Sequence, residues 1–149
     1  LLYVVMGPPA SGKTTWVRAH AKPEDIVIDL DALAVALSGP GTDDHGYGRE
    51  VREVAYSARS AAINKALDRL PRMRGTDVYL IHSMPAAKHL ARYRHHGAKL
   101  VTVDPGEAVV RQRVRALRGP GMDGVVTRWY RQQRASGTTP VSGAPSRDW

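Results

Sequence analysis

Gly7, Gly12, Lys13 and Thr14 stand in the spacing G-x-x-x-x-G-K-T within the segment GPPASGKTT. Glycines so placed let a backbone wrap closely round a phosphate, while successive amides and a helix N-terminus present partial positive charge. The segment Gly7, Pro8, Pro9, Ala10, Ser11, Gly12, Lys13, Thr14 and Thr15 is therefore read as a triphosphate cradle. Lys13 would reach the β- and γ-phosphates, and the Thr14 hydroxyl would hold Mg²⁺. ATP and Mg²⁺ are the expected cofactors. Asp29 and Asp31 follow in the segment D-L-D. A carboxylate opposite the γ-phosphate can take the proton of an attacking hydroxyl. Asp31 is the candidate base, and Asp29 a candidate contributor to the metal shell. A helix cap or first-turn acid is the competing explanation of Asp31. Further on, Arg111, Arg115 and Arg118 recur at i, i+4 and i+7. Arginines on one stripe can meet the charge of a transferring phosphoryl group, although a solvated basic face reads the same way. Arg111 and Arg115 are the expected pair and Arg118 a further phosphate contact. Arg113, nearer the apolar arc, is a rival.

These residues need a scaffold. Leu2–Met6 (LYVVM) is a continuous apolar run, read as a strand buried on both faces, and it leads into the cradle and a helix. That order, strand then cradle then helix, is the context the phosphate spacing requires. Residues 25–29 (DIVID) read as a second buried strand, followed by a helix from near Leu30 to Ser38. GPGTDDHGYG has no core-forming pattern and reads as a loop. Residues 49–70 form the longest periodic segment, with Val51, Val54, Ala55, Ala58, Ala62, Ala66 and Leu70 on one stripe. A strand at 77–82, a helix at 86–96 capped by Gly97, and a strand at 99–103 follow. A helix from Pro105 to Leu117, the break GPGMDG and a helix at 125–134 complete the pattern. Alternating strands and helices imply an α/β three-layer fold: a mainly parallel sheet of four strands or slightly more, helices on both faces and an arginine-bearing lid. Residues 1–134 are the expected domain, and 135–149, rich in Ser, Thr, Pro and Gly, the expected flexible tail or linker.

The chain has 149 residues, no cysteine and 42% hydrophobic residues. That composition excludes wholesale disorder, disulfide scaffolds and cysteine nucleophiles. It also fits a reducing cytoplasm. There is no apolar run long enough for a membrane span and no secretory signal. The chain starts without Met on a strand, as expected of a piece of a longer protein with a further domain beyond the tail. Lys and Arg number 22 against 14 acidic residues, for a net charge of +8. Such a field attracts polyanions, nucleic acid first among them. Arg outnumbers Lys 17 to 5, which composition bias of a GC-rich genome also explains.

A phosphate cradle alone does not name a reaction. The guanine-reading N-K-x-D is missing, since Asn64 lies in NKAL on the apolar helix, and no acidic pair ends the third strand. A small phosphotransferase remains. The cradle with Thr15-Trp16, the I-D-L-D segment ending in Asp31 and the Arg111/Arg115 pair together resemble the P-loop polynucleotide 5′-kinase family, the kinase domain of the bacteriophage end-healing enzymes in particular. The resemblance runs from about Leu2 to Arg134, with identity concentrated in those motifs. It implies that Lys13 and Thr14 bind ATP and metal, that Asp31 is the general base, and that Arg111 and Arg115 come from a lid. Two departures weaken the match to a polynucleotide acceptor. Ala34 stands where the family has an arginine gripping the substrate's 3′ phosphate, and His82-Ser83 replaces an Asp-Thr pair. Similar cores occur in zeta-toxin-like kinases and in phage kinases acting on hydroxymethylated pyrimidines in DNA.

His82 and Ser83, at the carboxyl end of a strand, are candidate acceptor-site residues. Asp43, Asp44 and His45 either touch substrate or metal or belong to a solvated loop. Trp129 and Tyr130, among Arg128, Arg131 and Arg134, either stack on bases or pack the last helix. The expected activity is ATP- and Mg²⁺-dependent transfer of a phosphoryl group to an alcohol, a polynucleotide 5′-hydroxyl or another hydroxyl on nucleic acid. A small-molecule or toxin-like kinase and a non-catalytic ATP-binding regulatory module are the alternatives.

Overall fold

The computed structural model describes residues 1–118 and 120–136. Four strands, β1 (Leu2–Met6), β2 (Ile26–Ile28), β3 (Val78–Ile81) and β4 (Lys99–Thr102), form an all-parallel sheet in the order β2-β3-β1-β4. The helices are α1 (Lys13–His20), α2 (Leu30–Leu37), α3 (Arg49–Arg69), α4 (Ala87–His95), α5 (Glu107–Leu117) and α6 (Asp123–Ser136). The fold is thus α/β, with helices flanking a parallel sheet. No described helix is long and apolar enough to cross a membrane.

Strand alternation sorts the core. Leu2, Val4, Met6, Val78, Leu80 and Ile28 face α3 and α4, where Ile63, Ala66, Leu67 and Tyr93 close over them. Val5, Tyr79, Ile81 and Val103 face the other way and meet Val17 of α1, with Trp16 packed alongside. A third cluster joins α5 and α6 to the cradle: Val110, Val114, Val126, Trp129 and Tyr130 pack on Ala10. Gly97 takes φ +75° and its N–H donates to Arg94 O, ending α4 as expected.

Several expectations are corrected. β2 is not buried on both faces, since Ile26 and Val27 are 36% and 48% exposed. It is an edge strand, and α1 packs over β1 and β3 instead. On α3 the buried positions are Ala55, Ile63, Ala66 and Leu67, and Val54 is exposed. The second half of this helix supplies the residues that close over the sheet, and α3 also packs against α2. On the helix from Pro105, spacing sets Val110, Val114 and Leu117 on one core face, but α5 turns only Val110 and Val114 inward and leaves Leu117 exposed. The last helix starts at Asp123 and runs to Ser136, two residues into the expected tail. The rest of that tail, 137–149, lies outside the described residues. Trp129 and Tyr130 are both buried, so neither offers a face to a base.

Candidate active site

The cradle's geometry follows from its residue types. Gly12 takes φ +103° and Ala10 φ +56°, so successive amides turn toward one concavity. Ala10 is the only described non-glycine residue with positive φ, a strained backbone of the kind that gathers at functional sites. At Gly7 a Cβ would stand 2.3 Å from Val103 O and 2.5 Å from Ser11 Oγ, so only glycine fits. The Gly7 N–H donates to Ser83 O at 3.2 Å, fixing the loop to the end of β3. Ser11 Oγ is buried without a hydrogen-bond partner. A buried hydroxyl in a ring of inward amides is a group that an anion would satisfy. Lys13 Nζ donates to Gly7 O at 3.0 Å and to Pro8 O at 2.7 Å, folded across the loop it serves.

A cavity of about 920 Å³ opens above the cradle at the carboxyl ends of β1–β3. Residues 9–15, Asp29, Asp31, Ser83 and Arg118 all border it. The two aspartates have separated roles. Asp29 is the N-cap of α2, its Oδ1 accepting from Asp31 N–H at 3.2 Å. Asp31 therefore does not cap α2, although it is the acid of that helix's first turn, as its competing explanation expects. Its carboxylate instead accepts from Tyr47 O–H at 2.5 Å, and its Oδ2 lies 3.6 Å from His45 Nδ1.

Charge is concentrated here. Burial, and then the positive charge of Arg118, push Lys13 down to about 7, against the opposing pull of Asp29 and Asp31. Burial and the Asp31 charge raise Asp29. Burial lowers Arg118, while Asp31, Tyr47 and Asp29 act to keep it charged. Perturbed, partly buried charges of both signs gathered at one cavity mark a candidate functional site. The oxygen donors Thr14 and Asp29 suit Mg²⁺, which takes one or two protein oxygens together with phosphates and water. Among the described residues no cluster of three or more His or acidic groups forms an all-protein metal cage.

The arginines divide differently from the stripe. Arg111 donates to Glu107 Oε1 at 2.9 Å and to Thr127 Oγ1 at 3.0 Å, and lies 3.6 Å from Asp123 Oδ1, tying α5 to α6. Arg115 is exposed and does not border this cavity. Arg118 leaves the stripe because it caps α5 with φ −128° and ψ −2°, which turns it into the cavity beside Lys13. Arg113 reaches the cradle, its Nη1 donating to Ala10 O at 3.3 Å.

His82 and Ser83 part company as well. Ser83 borders the cavity, and its carbonyl accepts from both Gly7 N–H and Trp129 Nε1–H. His82 turns away from the cavity lining and is hydrogen-bonded through Nδ1 to Tyr93 Oη at 2.9 Å. Asp104 accepts from Gly106 N–H and from Tyr130 O–H, so it shapes the turn into α5.

Sequence reasoning missed Tyr47, Arg52, Tyr56 and Arg59. The last two border the main cavity from the polar face of α3, where periodicity reads only solvent. A single aromatic in a Gly-rich polar loop was the one signal available for Tyr47.

Comparison with known proteins agrees with this architecture. Solved structures share the fold, among them the following two. The Deinococcus radiodurans tunicamycin resistance protein is 20% identical with a TM-score of 0.58, covering 97% of this chain and 86% of its own. A Chloroflexus aurantiacus protein provisionally assigned as a kinase is 19% identical with a TM-score of 0.55, covering 97% and 84%. No curated protein matches the chain. The AAA domain family, AAA_33, matches residues 2–140. A parallel sheet, a phosphate cradle after its first strand and a match over nearly the whole chain make this a P-loop member of the AAA domain family.

Proposed function

We propose that the protein transfers the γ-phosphate of ATP to an alcohol, with Asp31 as the general base. One observation carries this reading: Asp31, free of capping duty, borders the same cavity as Lys13, Thr14 and Arg118. In the proposed reaction the cradle amides and Lys13 hold the β- and γ-phosphates. Asp31 takes the proton of the acceptor hydroxyl as its oxygen bonds to the γ-phosphorus and ADP departs. Arg118, from the end of α5, meets the charge on the transferring group, a role in which it is favoured over Arg111 and Arg115 by its position in the cavity. Mg²⁺, held by Thr14 and reached by Asp29, would neutralise phosphate charge when bound.

Polynucleotide 5′-hydroxyls are one acceptor of this class, supported by the net charge of +8. A small hydroxyl-bearing molecule is the second, favoured by Asp43 and Asp44, which border the space beyond Asp31 and oppose a polyanion there. The test is labelled ATP with a panel of 5′-hydroxyl DNA, RNA, modified DNA and small hydroxyl compounds. Asp31→Asn is expected to lower transfer roughly 10²–10⁴-fold without weakening ATP binding. Undiminished transfer by that variant removes Asp31 as base, and ATP binding without transfer to any acceptor favours a regulatory module.

A further inference from the structure

Asp31 is held from outside its own helix. Both groups on its carboxylate, Tyr47 and His45, come from the loop between α2 and α3. That loop is built rather than slack. Asp43 Oδ1 accepts from His45 N–H at 3.0 Å, and Gly46 N–H donates to Asp43 O at 3.4 Å. A Cβ at Gly46 would stand 2.7 Å from Asp43 Oδ1, so glycine lets the turn close on that carboxylate. Arg52, near the start of α3, places its guanidinium carbon 5.6 Å from the centre of the Tyr47 ring. Such a cation–π contact steadies an aromatic ring at modest energy. Tyr47 is thus fixed by Arg52 on its face and by Asp31 at its hydroxyl.

Direction of approach decides what Tyr47 does. It borders the second cavity, of about 720 Å³, and not the one that holds the cradle. Its hydroxyl reaches the carboxylate from the loop between α2 and α3, outside the lining of the cradle's cavity, which disfavours Tyr47 as a phosphoryl acceptor. Burial and the hydrogen bond to Asp31 push Tyr47 up to about 12, so it stays a donor through the neutral range. Bases that work in a fixed geometry are oriented by a third group. We propose that Tyr47 is the positioning residue of Asp31, holding Oδ1 and leaving Oδ2, on the His45 side, to meet the acceptor hydroxyl. This proposal rests on Asp31 being the base.

The experiment uses the full chain with labelled ATP and Mg²⁺, water serving as acceptor, and reads release of inorganic phosphate. Tyr47→Phe keeps the ring over Arg52 and removes only the donor. It is expected to lower kcat about 10–100-fold with the KM for ATP held within about twofold. In the Asp31→Asn background the same change is expected to cost nothing more, since its partner is already altered. A merely structural tyrosine would lower both backgrounds alike, and that result overturns the proposal. Arg52→Ala leaves the hydroxyl in place and is expected to give a smaller fall in kcat, a second readout should Tyr47→Phe fold poorly. Release that Asp31→Asn abolishes but neither Tyr47→Phe nor Arg52→Ala changes overturns the proposal alone. Release independent of Asp31, or no turnover by the wild type with water or with any acceptor of the panel above, overturns the base assignment with it.

Discussion

Lys13 shows how much of a site one residue can carry. Its ammonium is held on two loop carbonyls and is pushed down to about 7, chiefly by burial. A bound triphosphate supplies negative charge and oxygen acceptors that favour the protonated form. Nucleotide binding above pH 7 is therefore expected to draw a proton onto Lys13, about one proton per ATP near pH 8. Calorimetry of ATP binding in two buffers of different ionisation enthalpy measures this uptake directly. Lys13→Met is expected to remove it, and wild-type binding without proton uptake would contradict the role given to this lysine. The sequence made Lys13 legible because its neighbours are fixed by backbone needs. Gly7 has no room for a Cβ, and Gly12 has a positive φ. Asp29 and Asp31 were legible as a pair, and so was the helix start near Leu30 that makes Asp29 its cap. What could not be read is that Tyr47, sixteen residues on in a loop, would hold the Asp31 carboxylate.

At the scale of elements, strand and helix order could be read from the sequence, while burial on edges and lids could not. Residues 25–29 are as apolar as a central strand, yet only the strand order β2-β3-β1-β4 makes Val27 an edge residue. The arginines of α5 were assigned from helical spacing, which assumes that the helix continues. It stops at Leu117, so Arg118 takes a direction no periodicity predicts. What α6 does is also clear only in three dimensions. Trp129 is 1% exposed, packs with Val114 and Val126 against Ala10, and donates to the Ser83 carbonyl that also holds Gly7. The last helix thereby supports the phosphate cradle from behind. Trp129→Ala is expected to cost roughly 3–5 kcal/mol of stability through the cavity it leaves. Because the cradle loses a support, ATP affinity is expected to fall too, at temperatures where the variant is still folded. Denaturant titration and equilibrium binding measure the two effects. A destabilised variant with wild-type ATP affinity would show that α6 packs without supporting the cradle.

For the molecule as a whole, net charge and buried titrating groups act together through pH. The chain carries +8 near neutrality, and its net charge grows as pH falls. Self-repulsion of this kind weakens the compact state. His82 adds a sharper effect. Burial, with Arg59 and His89 nearby, pushes it down to about 4 from an ordinary 6.5. Between these values the unfolded chain binds a proton that the folded chain does not, so stability rises with pH. The contribution is fully present above about 6.5 and is lost progressively as pH falls toward 4. Thermal melts from pH 4 to pH 8 are expected to show the midpoint climbing most steeply across that window. His82→Gln keeps a polar side chain beside Tyr93 but removes the titrating group, and is expected to flatten the climb. The charge effect, spread over the surface, remains in the variant and is weakened by added salt, whereas the His82 effect is not, because it is governed by burial. A His82→Gln variant whose midpoint follows the wild-type pH profile would assign the whole dependence to the surface field.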